Sequence, residues 1–126
     1  MLYGKHLLVE VITTNPKELS DKILIKKVFE EIVRAVNITP VLQPTIYQFP
    51  TKPESPKHIL GGLTAFYIIA ESHLAIHTWP ENNYLAFDLF SCKDFDEKIV
   101  VTIIKNNFSV KKLFQQTINR GITINF

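Results

Sequence analysis

Three apolar runs dominate the middle of the chain: Leu63 to Ala70, Leu74 to Trp79 and Tyr84 to Phe90. Short apolar and aromatic runs of this kind predict buried strands. Glu81-Asn82-Asn83, between the second and third, has the length of a hairpin connection. Upstream, Leu7 to Val11 predicts a first strand, closed by the turn chemistry of Thr13-Thr14-Asn15-Pro16. From Ser20, read as an N-cap, Ile25, Val28, Phe29, Ile32 and Val36 recur at helical spacing. Lys27, Glu30, Glu31 and Arg34 fall outside that stripe, which predicts a surface helix ending near Asn37 with a solvated charged side. Pro40 to Phe49 predicts a second strand, placed at a sheet edge by its prolines. Asp94 and Glu97 read as a capping box for a second helix with Ile99, Val100, Ile103 and Ile104 inward. A last strand falls between Ser109 and Ile124, interrupted at Gly121.

The order β-α-β-β-β-β-α-β predicts an α+β fold, a two-layer α/β sandwich whose antiparallel sheet is covered by two main helices. The stretch Pro50 to Lys57 carries three prolines among polar residues and reads as a stiff exposed loop bounded by Gly61-Gly62. At 126 residues, with no repeat and no second change of composition, the chain 1–126 is expected to be a single domain.

Charge narrows the function. Fourteen basic and twelve acidic residues leave a net charge of +2, too balanced and too scattered to argue for nucleic acid or an anionic membrane. A single cysteine excludes an internal disulfide. The start Met1-Leu2-Tyr3-Gly4-Lys5-His6 lacks the order of a signal peptide, and no apolar run reaches the roughly 20 residues of a membrane span. A soluble, cytoplasmic protein is the expectation.

The candidate chemistry sits in Ala70 to Glu81, where two carboxylates, a hydroxyl, two imidazoles and an indole interrupt a strand-like run. Buried polar groups need partners, so this run is either a satisfied network or a site. Ser72 and His77 are five apart, which points them to opposite faces of a straight strand. If they act together, the chain must reverse or bulge near Ser72-His73. His73 and His77 lie about 13 Å apart along one strand, too far to share an ion, so no metal is expected. A Ser72, His77 and Asp88 triad has no nucleophile elbow to support it. Cys92 stands where a strand stops before a helix N-terminus, a position that favours a functional thiol over an inert one. Trp79 and Phe90 read as core, and Glu10 as a paired or exposed polar group.

Gly62-Leu63-Thr64, Glu71-Ser72-His73-Leu74, Ile76-His77-Thr78-Trp79-Pro80-Glu81 and Asp88-Leu89-Phe90-Ser91-Cys92 together resemble the prokaryotic S-adenosylmethionine decarboxylase proenzymes. His6-Leu7-Leu8-Val9-Glu10 and Gln48-Phe49-Pro50 are similar to further segments of that family, so the likeness runs from about Tyr3 to Cys92.

The resemblance implies a pyruvoyl-dependent enzyme that makes its own cofactor. The Ser72 hydroxyl attacks the Glu71 carbonyl, and elimination then cuts the chain into residues 1–71 and 72–126. Ser72 becomes the pyruvoyl group that holds substrate as a Schiff base. His77 matches the histidine that assists elimination, and Thr64 stands where the family usually has a serine. Cys92 matches the acid that returns a proton to the substrate, and a thiol is largely protonated at pH 7. Phe49 and Glu81 are candidate substrate contacts, by stacking on adenine and by hydrogen bonding or charge. The implied substrate is S-adenosylmethionine, the implied product an aminopropyl donor for spermidine and other polyamines, and the implied assembly a homodimer of processed protomers.

Three features depart from the family pattern: Thr64, Lys93 in place of a glycine, and a longer Pro50–Gly61 loop. The residue set also fits a pyruvoyl enzyme for arginine or ornithine, or an unprocessed homologue that serves as a binding subunit.

Overall fold

Alternation along the strands sorts the side chains into two faces, and only one of these is covered. The computed structural model describes residues 3–56 and 59–125; Met1-Leu2 of the N-terminal reading and Lys57 of the proline-rich loop lie outside them. Its elements are β1 (Gly4–Thr13), α1 (Lys22–Ala35), β2 (Thr39–Pro40), β3 (Thr45–Gln48), β4 (Leu63–Ala70), β5 (Ser72–Trp79), β6 (Tyr84–Ser91), α2 (Glu97–Asn107) and β7 (Val110–Arg120). The sheet order is β2-β4-β5-β6-β1-β7, with β3 also pairing β4, and every pairing is antiparallel. The fold is the expected α+β sandwich.

On the covered face, Leu7, Val9 and Val11 of β1, Leu63, Ala65 and Ile69 of β4, Leu74 and Ile76 of β5, and Leu85, Phe87 and Leu89 of β6 are buried. They pack with Ile25, Val28, Phe29 and Ile32 of α1 and with Val100, Val101, Ile103 and Ile104 of α2. The Phe29 ring stacks on Tyr67 at 5.6 Å, and truncating such a ring to alanine costs about 3–5 kcal/mol. Thr13, Thr78 and Ser91 are buried polar residues in phase with this face, and Thr78 shows how such a group is satisfied. It donates to the Leu19 carbonyl at 2.6 Å and accepts from the Leu63 N–H at 2.8 Å, so its burial leaves nothing unpaired.

Among the described residues neither α1 nor α2 packs on the opposite face. Phe66, Ile68, Phe114 and Ile118 there are each more than 40 % exposed.

Several expected elements shift. The Pro40–Phe49 strand is two pieces at one edge, because Gln43 and Pro44 fall between two short pairings with β4. Asp21 caps α1, accepting from the Leu24 N–H at 3.0 Å, whereas the Ser20 hydroxyl is turned inward onto the Leu60 and Gly61 carbonyls. Asp96 caps α2, accepting from the Lys98 N–H at 2.9 Å. The Asp94–Glu97 pair is therefore no capping box: both carboxylates hold Lys5, at 2.8 and 2.7 Å. Burial opposes the charge on Lys5, but these two partners outweigh it and hold its pKa above the ordinary lysine value. Ile99 faces outward and Val101 takes the inward position.

Candidate active site

The expected reversal exists, but it lies one residue earlier and does not bring Ser72 to His77. β4 ends at Ala70, Glu71 stands exposed at the apex, and Ser72 opens β5 with φ of +130°. Left-handed backbone at a serine stores strain of order 1–3 kcal/mol. Pairing in register puts Ser72 opposite Ser91 of β6, one residue before Cys92. The Cys92 N–H donates to the Glu71 carbonyl at 3.3 Å. The exposed Cys92 also lines a cavity of about 300 Å³ with Lys5, Ser91 and Asp94. Cys92 precedes α2 by five residues, so it stands outside the turn over which the helix end acts.

β5 then runs unbroken to Trp79, and five residues of strand carry His77 about 16 Å away from Ser72. His77 is paired with Thr64 of β4, whose Oγ1 lies 3.3 Å from the His77 Nδ1. Phe49, Thr64, His77, Trp79 and Glu81 line a second cleft of about 280 Å³. Trp79 is a wall of this cleft and not core, because strand alternation puts it on the open face. Gly61 and Gly62 close the cleft by near approach: a Cβ would stand 1.8 Å from the Phe49 carbonyl at Gly61 and 2.2 Å from the Thr78 carbonyl at Gly62.

Glu81 is not free in this cleft. Lys52, from the proline-rich loop, donates to its Oε1 at 2.6 Å. Burial would raise the Glu81 pKa, yet the Lys52 bond, a bond from its own backbone N–H and the Lys52 charge together outweigh this and hold it below the ordinary glutamate value. The sequence reading passed over Lys52, whose loop position carries no periodic signal. Behind Trp79, Tyr84 packs at 5.4 Å and donates to Glu10 Oε1 at 2.5 Å. That bond, with burial, pushes the Tyr84 phenol up to about 12.

The site residues therefore form two groups, Glu71, Ser72 and Cys92 at one end of β5, and Phe49, Thr64, His77 and Glu81 at the other. The Ser72, His77 and Asp88 triad is excluded by geometry, since Asp88 is bonded by His73 at 2.8 Å and His6 at 3.1 Å. Phe90 is half-buried against His6 on the open face, not core. Among the described residues no helix is long and apolar enough to cross a membrane.

Comparison with known proteins bears on these two groups. The family model described as S-adenosylmethionine decarboxylase matches residues 5–121. A Clostridium botulinum S-adenosylmethionine decarboxylase proenzyme is 33% identical over 119 residues, 94% of each chain. The proenzyme of Pyrococcus abyssi is 32% identical over 94% of this chain and 79% of its own. The crystal structure of the Aquifex aeolicus adenosylmethionine decarboxylase superposes with a TM-score of 0.78 at 26% identity, covering 96% of this chain and 92% of that one. On these matches the chain belongs to the S-adenosylmethionine decarboxylase family.

Proposed function

We propose that the chain is a pyruvoyl-dependent S-adenosylmethionine decarboxylase, cut by its own chemistry between Glu71 and Ser72 and completed by a second copy of itself. The observation that carries this reading is the juncture at Glu71-Ser72-Cys92: a serine in left-handed backbone, following a carbonyl that a neighbouring amide already polarises. Attack of the Ser72 hydroxyl on the Glu71 carbonyl makes a tetrahedral oxyanion, beside which the Cys92 N–H stands as a donor. Its collapse breaks the Glu71–Ser72 C–N bond, leaving an ester to the Ser72 oxygen and a protonated Ser72 nitrogen. Loss of the Ser72 α-proton then expels the Glu71 carboxylate and breaks the chain, and the dehydroalanine left at position 72 takes up water and releases ammonia to become the ketone. His77 takes part as base, with the Thr64 hydroxyl fixing its ring. The residues at this juncture fit a pyruvoyl group at position 72, which supplies the electron sink that loss of carbon dioxide requires. The Cys92 thiol holds the proton returned to the substrate carbon.

One chain supplies half of such a site. His77 is about 16 Å from Ser72 along β5, and the cleft beside it, at about 280 Å³, is small for a nucleoside-sized ligand. The open face offers the remedy. Its exposed Phe66 and Ile68 on β4 and Phe114 and Ile118 on β7 flank a polar centre of His6, His73 and Asp88, and exposed apolar side chains of this kind mark an interface. A two-fold axis between two such faces and across β5 reverses the partner strand, and so sets the His77 end of one copy against the Ser72 end of the other. Each homodimer then holds two sites, with Phe49 and Glu81 contacting substrate. The product is the aminopropyl donor for spermidine synthesis. A reduced thiol at Cys92 suits the cytoplasm.

Mass spectrometry of purified protein, followed by carbon dioxide release from carboxyl-labelled substrates, tests the reading. Fragments 1–71 and 72–126, the second lacking a free amine, and turnover of S-adenosylmethionine are expected. Turnover of arginine or ornithine alone would overturn the substrate, and a chain that stays intact would make this a binding subunit.

A further inference from the structure

On the open face, three strands bring together side chains that the chemistry above does not use. His6 of β1, His73 of β5 and Asp88 of β6 converge, with one donor atom from each within 4.8 Å of the others. Both imidazoles present Nε2 to the same carboxylate oxygen, Asp88 Oδ1, at 3.1 and 2.8 Å. The rings are held from the sides: His73 stacks on Phe66 at 5.0 Å, and His6 leans on Phe90 at 5.4 Å. All three side chains are about one-fifth to one-quarter exposed, so the cluster is walled yet open on one side.

We infer that His6, His73 and Asp88 form a binding site for a late first-row divalent cation, of which zinc is the representative. The donor set decides the class. Two imidazoles and one carboxylate suit zinc, cobalt or nickel, whereas magnesium and calcium require oxygen donors. Donors around tetrahedral zinc stand roughly 3.3 Å apart, given bonds near 2.0–2.1 Å. Two of the three separations here are already near that value. The third closes with a shift of roughly an ångström, within reach of ring rotation. Each neutral imidazole carries one proton, and moving it from Nε2 to Nδ1 frees a lone pair directed at the shared centre. Asp88 then exchanges two hydrogen bonds for one coordinate bond, and the fourth corner points away from the sheet, into the interface proposed above. Strand register predicts the trio: His6 pairs with Phe90 in β6 and His73 pairs with the same residue from the other side. Asp88, two residues along β6, presents its side chain to the same face.

The test uses tag-free protein stripped with chelator and titrated with zinc chloride in a calorimeter. One saturable ion per chain is expected, with no response to magnesium chloride. His6→Gln and Asp88→Asn should each weaken zinc at least about tenfold, while His77→Ala and Cys92→Ser bind like the parent. A measurement on the unaltered chain guards against variants that fail to fold. In proton NMR, zinc should move the ring resonances of His6 and His73, but not those of His77. Absence of saturable binding would overturn the inference. So would parental affinity in His6→Gln, loss of binding in Cys92→Ser, or movement of the His77 ring with His6 and His73 unmoved.

Discussion

The two ends of β5 are built differently, and in the proposed reading that difference is why a second copy is needed. At the Ser72 end the backbone dominates: left-handed φ at the serine, an exposed apex, and a carbonyl held by the Cys92 amide. At the His77 end the side chains dominate. A Thr64–His77 pair, an indole wall and a Lys52–Glu81 ion pair surround a cleft. In the proposed reading the first end is the one cut, and the second holds the base and the ligand. Neither does both, and a rigid strand of about 16 Å keeps them apart.

The largest effects should come from the Ser72 end, and they should separate into two kinds. Ser72→Ala is expected to abolish cleavage and decarboxylation together, leaving one intact mass. Cys92→Ala should still cleave, because its amide remains, but carbon dioxide release should fall by roughly 10²-fold or more. Loss of cleavage in Cys92→Ala would merge two roles that are assigned here to different atoms of one residue.

A smaller effect is expected at the other end. Thr64→Val removes the hydroxyl beside His77 without changing volume, and cleavage should slow by about tenfold, the value of one hydrogen bond. Thr64→Ser should cleave at least as fast as the parent, since it keeps the oxygen and loses a stiffening methyl. Time courses on a denaturing gel distinguish these outcomes.

The smallest effect is one of pH. Tyr84 backs Trp79, and its phenol is pushed up to about 12 by the Glu10 bond and by burial. An acid whose folded pKa is raised stabilises the fold fully below its unfolded value, near 10, and loses that contribution as pH rises to about 12. Ultraviolet titration should find this late ionisation, and Glu10→Gln should move it back towards 10. No shift in Glu10→Gln would mean that burial alone sets it.

Much of the layout was legible in the sequence. The β4 and β6 runs and the α1 stripe follow from periodicity alone, because burial on one face imposes it. Boundaries were less legible where a polar side chain had two uses. Ser20 had cap chemistry but bonds the Leu60 and Gly61 carbonyls, and Asp94 had capping-box spacing but pairs with Lys5. The motif around Ser72 names the candidate residues but not their separation, which depends on where the hairpin turns. The His6–Asp88–His73 cluster has no local signature, since it joins three strands across 82 and 15 residues of sequence.

The central claim is that a working site takes Ser72 from one copy and His77 from another, and co-expression of two disabled chains tests it most directly. Ser72→Ala and His77→Ala, made as chains of distinguishable mass, should each stay intact alone over the time in which the parent cleaves. Together they should form mixed dimers in which the His77→Ala chain, and only that chain, is cut. If the mixture stays intact while mixed dimers are present, or if His77→Ala cuts itself alone at the parental rate, the shared site is contradicted.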